Sequence, residues 1–171
     1  SGNVDNFGKI TTDGLWKDAG DTTAGRSSSS ARDYAVGMTA GLDNYDGPGT
    51  NATASNHQGA TITVYNAGAG MVARGANNQV INQGTINLEK NENYTGNEPL
   101  FGMAVYSGGT AINDTTGVIN INAENGKAFY SDGNANNRII NRGQIILGAN
   151  ASADADNSAD LVMPEFADGT I

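Results

Sequence analysis

A chain of 171 residues with 24 glycines, 23 asparagines and 3 prolines, 37% hydrophobic and only 16% charged, suits one domain with many turns and a thin core. Its net charge of −9, with nine scattered Lys and Arg, excludes a nucleic-acid surface, because phosphate binding needs clustered basic residues. The absence of cysteine excludes disulfides and thiolate metal sites.

Apolar runs are broken every few residues by Gly, Asn, Thr or Ser, which leaves no room for a long amphipathic helix or a membrane span. The start, S-G-N-V-D-N, carries no Met and no secretion signal and reads as a piece cut from a longer chain. Residues 1–171 read as a single unit.

Taken in chain order, one pattern recurs: apolar residue, any residue, Asn, a short Gly-containing turn, then two apolar residues at alternate positions. It is first met as V-D-N-F-G-K-I at 4–10 and again as A-S-N-H-Q-G-A-T-I-T-V at 54–64. V-I-N-Q-G-T-I-N-L follows at 80–88, A-I-N-D-T-T-G-V-I-N-I at 111–121 and I-I-N-R-G-Q-I-I-L at 139–147. F-A-D-G-T-I at 166–171 reads as a sixth copy, with Asp168 in place of Asn. The pattern aligns Asn6, Asn56, Asn82, Asn113 and Asn141, with Ile10, Ile62, Ile86, Ile119 and Ile145 after the turn. From Ile62 onward these Ile positions lie 24, 33 and 26 residues apart, whereas the first interval is 52, so the first unit is either one coil with a long insertion or two coils, one degraded.

A second motif precedes most of these: G-M-T-A-G at 37–41, G-M-V-A-R-G at 70–75, G-M-A-V-Y-S-G at 102–108 and G-K-A-F-Y-S-D-G at 126–133. Aligned without gaps at the first five positions, its second and fourth positions face inward, with Lys127 as the misfit at the strand edge. Its fifth position, Gly41, Arg74, Tyr106 and Tyr130, faces out. Two polar insertions, L-D-N-Y-D-G-P-G-T-N at 42–51 and E-K-N-E-N-Y-T-G-N-E-P-L at 89–100, each carry one tyrosine, Tyr45 and Tyr94.

A unit of this size with short period-two strands cannot bury its apolar face alone, but stacked units can, with like residues over like about 4.8 Å apart. The expected fold is all-β, a parallel β-helical solenoid of about five to six coils with loop insertions. Asn and Gly recur at the bends because both tolerate positive φ. Hairpins in a sandwich would also give short strands, but would not bring Asn and Ile into the same phase five times.

The I-N-x-G-x-I pattern, the G-M-A-V-Y-S-G segments and the lack of cysteine resemble the passenger regions of bacterial autotransporters, above all the repetitive surface adhesins of enterobacteria. The resemblance spans roughly residues 30–147. It implies a right-handed β-helix serving as a secreted, surface-displayed stalk. It also implies that a signal peptide and a C-terminal outer-membrane barrel are carried elsewhere.

Chemistry is sparse. The single histidine, His57, lies in a turn and reads as a solvent-exposed residue, and no G-x-S-x-G elbow occurs. Asp43, Asp46, Asp114 and Asp132 fall at bends, where side-chain to backbone bonds explain them. The run A-S-A-D-A-D-N-S-A-D at 151–160 could offer Asp154, Asp156 and Asp160 to Ca²⁺, but matches no calcium-loop pattern and reads as an acidic loop. Four N-x-S/T triplets, beginning at Asn51, Asn93, Asn113 and Asn150, are expected by chance in so Asn-rich a chain.

The expectation is therefore no catalysis, metal or cofactor. A non-catalytic adhesin or stalk would bind a host glycan, a matrix protein or its own copies on other cells through Arg74, Tyr106, Tyr130, Tyr45 and Tyr94. The alternatives are a polysaccharide-processing β-helix enzyme and a ligand-free spacer.

Overall fold

The computed structural model describes residues 2–14, 35–41, 50–96 and 98–151. Tyr45, Asp43, Asp46, the 151–160 acids and the copy at 166–171 lie outside them.

Every strand of the described residues pairs in parallel with its counterpart one coil away, in three sheets. The first sheet stacks β1 (Gly2–Asn6), β4 (Ala52–Asn56), β7 (Gln79–Asn82), β10 (Thr110–Asn113) and β13 (Arg138–Asn141) in that order. The second stacks β2 (Lys9–Asp13), β5 (Thr61–Tyr65), β8 (Thr85–Glu89), β11 (Val118–Asn122) and β14 (Gln144–Leu147). The third stacks β3 (Val36–Ala40), β6 (Gly68–Arg74), β9 (Leu100–Tyr106) and β12 (Gly126–Ser131). The chain visits the sheets in rotation, so the fold is a parallel β-helix with five rungs on two of its sides. Since β1 lies directly against β4 and β2 against β5, the 52-residue interval is one coil with long corners and not two coils.

Register follows the repeat. Asn6, Asn56, Asn82, Asn113 and Asn141 lie one over another, as do the five isoleucines from Ile10 to Ile145. The core is the space enclosed by the sheets: Ile62, Ile86 and Ile119 meet Met71, Met103 and Phe129 from the third sheet and Ala54, Val80, Ala111 and Ile139 from the first. Smaller residues predominate on the first wall and face large ones on the others, which suits close packing of a narrow interior.

The corner after the first sheet holds buried asparagines. Asn56, Asn82, Asn113 and Asn141 have no exposed surface. Each amide Nδ2 donates to the Oδ1 of the next asparagine, from Asn6 through to Asn141, at 2.9 Å in all four steps. A buried carboxamide without partners would cost about 1–3 kcal/mol; stacking lets identical side chains satisfy one another. A second file runs on the outside of the second sheet in the reverse sense, with Asn120 donating to Asn87 at 2.9 Å and Asn87 to Thr63 Oγ1 at 3.3 Å.

Candidate functional site

The third sheet carries a feature that simple alternation does not produce. Leu100 packs inward and Phe101 outward, yet both Gly102 and Met103 turn toward the core before Ala104 goes out again. The strand kinks at Gly102, and the same kink occurs at Gly37 and Gly70. The reason is space: a Cβ on Gly70 would lie 2.7 Å from the carbonyl oxygen of Gly102 and 2.8 Å from Ile86 Cγ2. On Gly102 it would lie 2.6 Å from Ala128 O and 2.9 Å from Ile119 Cγ2. In the fourth strand the kink position is Ala128, because no described strand stacks beyond it.

That substitution corrects the gap-free alignment of the fourth copy. Lys127 pairs with Phe101, Phe129 with Met103 and Tyr130 with Ala104, a displacement of two residues from the expected match. Lys127 is therefore no misfit in the core: it belongs to the outer row and is half-buried. Phe129 takes the methionine position, at 1% exposure. Tyr130 faces out as expected, but one row away from Tyr106, whose strand neighbour is Arg74.

The outer face built this way is apolar. Val36, Ala69, Val72, Phe101, Ala104, Tyr106 and Tyr130 form a cluster separate from the core. Tyr130 lies diagonally between two aromatic rings, 4.8 Å from Phe101 at an interplanar angle of 32° and 5.5 Å from Tyr106 at 44°. Each tilted pair contributes about 0.5–1.5 kcal/mol beyond burial. Phe101 and Tyr106 are buried, at 7% and 6% exposure. Tyr130, Arg74 and Lys127 keep partial access to solvent and form the accessible layer over them. Phe101 was not legible as an outer-row residue; the signal was the glycine before Met103, which marks the kink, and Lys127 was missed because Ala128 holds that position in its strand.

Tyr94 stands apart, in the long corner between β8 and β9. Lys90 sits 5.6 Å above its ring and pairs with Glu124 at 2.9 Å. Tyr94 Oη and Glu98 Oε2 are both buried without a hydrogen-bond partner. Arg74, Tyr106 and Tyr130 thus share one sheet, Tyr94 lies in a different corner, and Tyr45 is outside the described residues.

His57 is half-buried. Its Nε2 meets Asp5 Oδ1 at 2.8 Å, and its ring stacks on Phe7 at 4.2 Å and 6°. The acids at bends are occupied with their turns. Asp114 accepts from the Thr115 N–H at 2.9 Å and from Gln83 Nε2 at 3.3 Å. Asp132 accepts from the N–H groups of Ser107 and Asn134 at 3.1 and 3.0 Å and from Asn137 Nδ2 at 2.6 Å. Among the described residues no three His, Cys, Asp or Glu side chains converge on a point that could hold a metal ion.

A parallel solenoid with a fully packed interior and its distinguishing side chains on an outer sheet face is a β-helical domain of the pectate lyase-like class. The chain belongs to the family described as the BigA third pectate lyase-like domain, which matches residues 1–117. It is also 40% identical over 122 residues to the "Putative surface-exposed virulence protein BigA" of Salmonella typhimurium. That match takes in 71% of this chain but 6% of the relative. No solved structure shows significant similarity to the chain.

Proposed function

We propose that the chain is a non-catalytic segment of a surface-displayed bacterial protein of autotransporter type, which holds a recognition face away from the cell and mediates adhesion or cell–cell association. The observation that carries this reading is the aromatic and apolar cluster on the outside of the third sheet, over which Tyr130 and Arg74 keep partial access to solvent. Tyr130, with Arg74 beside Tyr106, offers a ring face and a cation to a sugar ring or to a protein side chain. Fixed rungs hold these groups without loss of conformational freedom on binding. The surface-exposed virulence protein named above supports display at the cell surface.

The test is attachment of cells or beads carrying the chain to host cells and matrix proteins, and their autoaggregation. Tyr130→Ser should cut attachment several-fold, with a loss of stability limited to its two ring pairs, about 1–3 kcal/mol. Unchanged attachment for Tyr106→Ser and Tyr130→Ser would make the chain a spacer.

The family's description favours one second reading, a polysaccharide-processing enzyme. Turnover of acidic glycans by the purified chain, abolished by changing a single Asp, would establish it in place of adhesion.

A further inference from the structure

The outer rows of the third sheet carry a charge opposite in sign to that of the chain. One row runs Val36, Ala69, Phe101 and Lys127, the next Thr39, Val72, Ala104 and Tyr130, and Arg74 stands beside Tyr106 where the rows end. Lys127 and Arg74 are the charged members of this described set, and both are cations, in a chain of net charge −9. Asp132, two residues past Tyr130, is turned to the corner. Its carboxylate accepts from the Ser107 and Asn134 N–H groups and from Asn137 Nδ2. Val36, Thr39, Arg74, Lys127 and Tyr130 keep partial access to solvent over a buried apolar floor.

We infer that the occupant of this face is an acidic protein segment, extended, with a carboxylate on either side of an apolar side chain. The inference rests on the proposal above that the face is a recognition surface, and names what it recognises. Charge complementarity selects an anion: the Arg74 guanidinium matches a carboxylate with two parallel N–H donors, and Lys127 adds a point charge. The two cations lie two coils apart, about 10 Å along the axis, and at opposite ends of their strands. An extended segment advances about 3.3 Å per residue, so carboxylates about four to six residues apart reach both. Between them lies the Tyr130 ring, tilted over Phe101 and Tyr106. A sugar would pack its flat C–H face on an open ring, but Phe101 and Tyr106 are buried, at 7% and 6% exposure. Tyr and Arg over an apolar floor is instead the make-up of protein–protein hot spots.

The test is selection of displayed short random peptides on the immobilised 171-residue chain. Selected peptides should carry acids about four to six residues apart around an apolar residue. Their Kd should weaken about tenfold with Arg74→Gln and again with Lys127→Gln, and should weaken with added salt, which screens charges over about 10 Å at 0.1 M. Arg74→Lys, which keeps the charge without the fork, should lose less. Should Arg74→Gln fail to fold, Lys127→Gln and the salt dependence of the native chain give the same comparison. Selection of no acidic peptide, or equal affinity for the native chain and the Gln variants, overturns the inference. Preferential binding of polygalacturonate or heparin through the same two cations also overturns it, by assigning the face to a glycan. Self-association of the chain that Arg74→Gln abolishes overturns it in favour of a second copy. Attachment that falls with Tyr130→Ser but ignores the selected peptides overturns the ligand class and leaves the recognition face standing. Attachment that ignores Tyr130→Ser removes the face, and the inference with it.

Discussion

Asn82 donates its amide nitrogen to Asn113 Oδ1 at 2.9 Å, and both side chains are wholly buried although neither touches a charged group through that bond. Replacing Asn82 with Ala leaves Asn56 Nδ2 with only its longer bond to Thr85 O at 3.4 Å and takes the Asn82 donor from Asn113 Oδ1. At about 1–3 kcal/mol for each of these two buried groups, the loss of stability is about 2–6 kcal/mol. Asn6→Ala, at the half-exposed start of the file, should lose less than about 1 kcal/mol, since water replaces what is removed. Urea unfolding measures both, and equal losses would show that the ladder does not stabilise the fold.

The kink glycines give a sharper contrast. Gly102→Ala puts a methyl group 2.6 Å from Ala128 O and 2.9 Å from Ile119 Cγ2, so a coil must shift, at about 1–3 kcal/mol. Ala128→Gly, at the corresponding place in the next strand, removes one methyl group without a clash and should cost about 1 kcal/mol or less. Thermal unfolding of the two single variants decides between them.

Two tyrosines of one cluster should separate stability from binding. Tyr106, at 6% exposure, should lose about 2–4 kcal/mol on change to Ser, by the cost of removing a buried ring. Tyr130 is the more accessible, and its change to Ser should lose about 1–3 kcal/mol, the worth of its two ring pairs, while reducing attachment, which the Tyr106 change should not. Chemical unfolding and a cell-attachment assay on the same preparations distinguish the two roles.

Lys90 and Glu124 form an ion pair at 2.9 Å, with side-chain exposures of 22% and 58%. Such pairs contribute little in water, so Lys90→Met should change the unfolding free energy by less than about 1 kcal/mol. A larger loss would mean that the Lys90 contact with the Tyr94 ring holds the corner between β8 and β9 together.

The solenoid was legible because Asn and Ile recur in fixed phase. Stacking makes like residues neighbours, and the amide file rewards keeping Asn at one corner. The identity of the outer face was less legible, because it depends on a backbone kink. The glycines at 37, 70 and 102 announce that kink, but in the fourth strand Ala128 occupies it and Gly126 does not. An alignment anchored on glycine therefore placed Lys127 inside and put Tyr130 beside Tyr106 in one row. Aligning K-A-F with F-G-M recovers the observed register. The partnership of His57 with Asp5 and Phe7 was also invisible in sequence, since it joins residues about 50 positions apart across a coil whose long corners separate them.

The register has a further consequence. Because every described coil returns to the same three rows of neighbours, a whole turn can be removed or duplicated while the inward rows and the asparagine file stay in register. Excising residues 83–113 would join Asn82 to Asp114, as Asn113 is joined now, and would shorten the axis by about 4.8 Å. Reach is therefore adjustable in unit steps by gain or loss of a segment, and each step adds or removes that segment's outer side chains, here Phe101 and Tyr106.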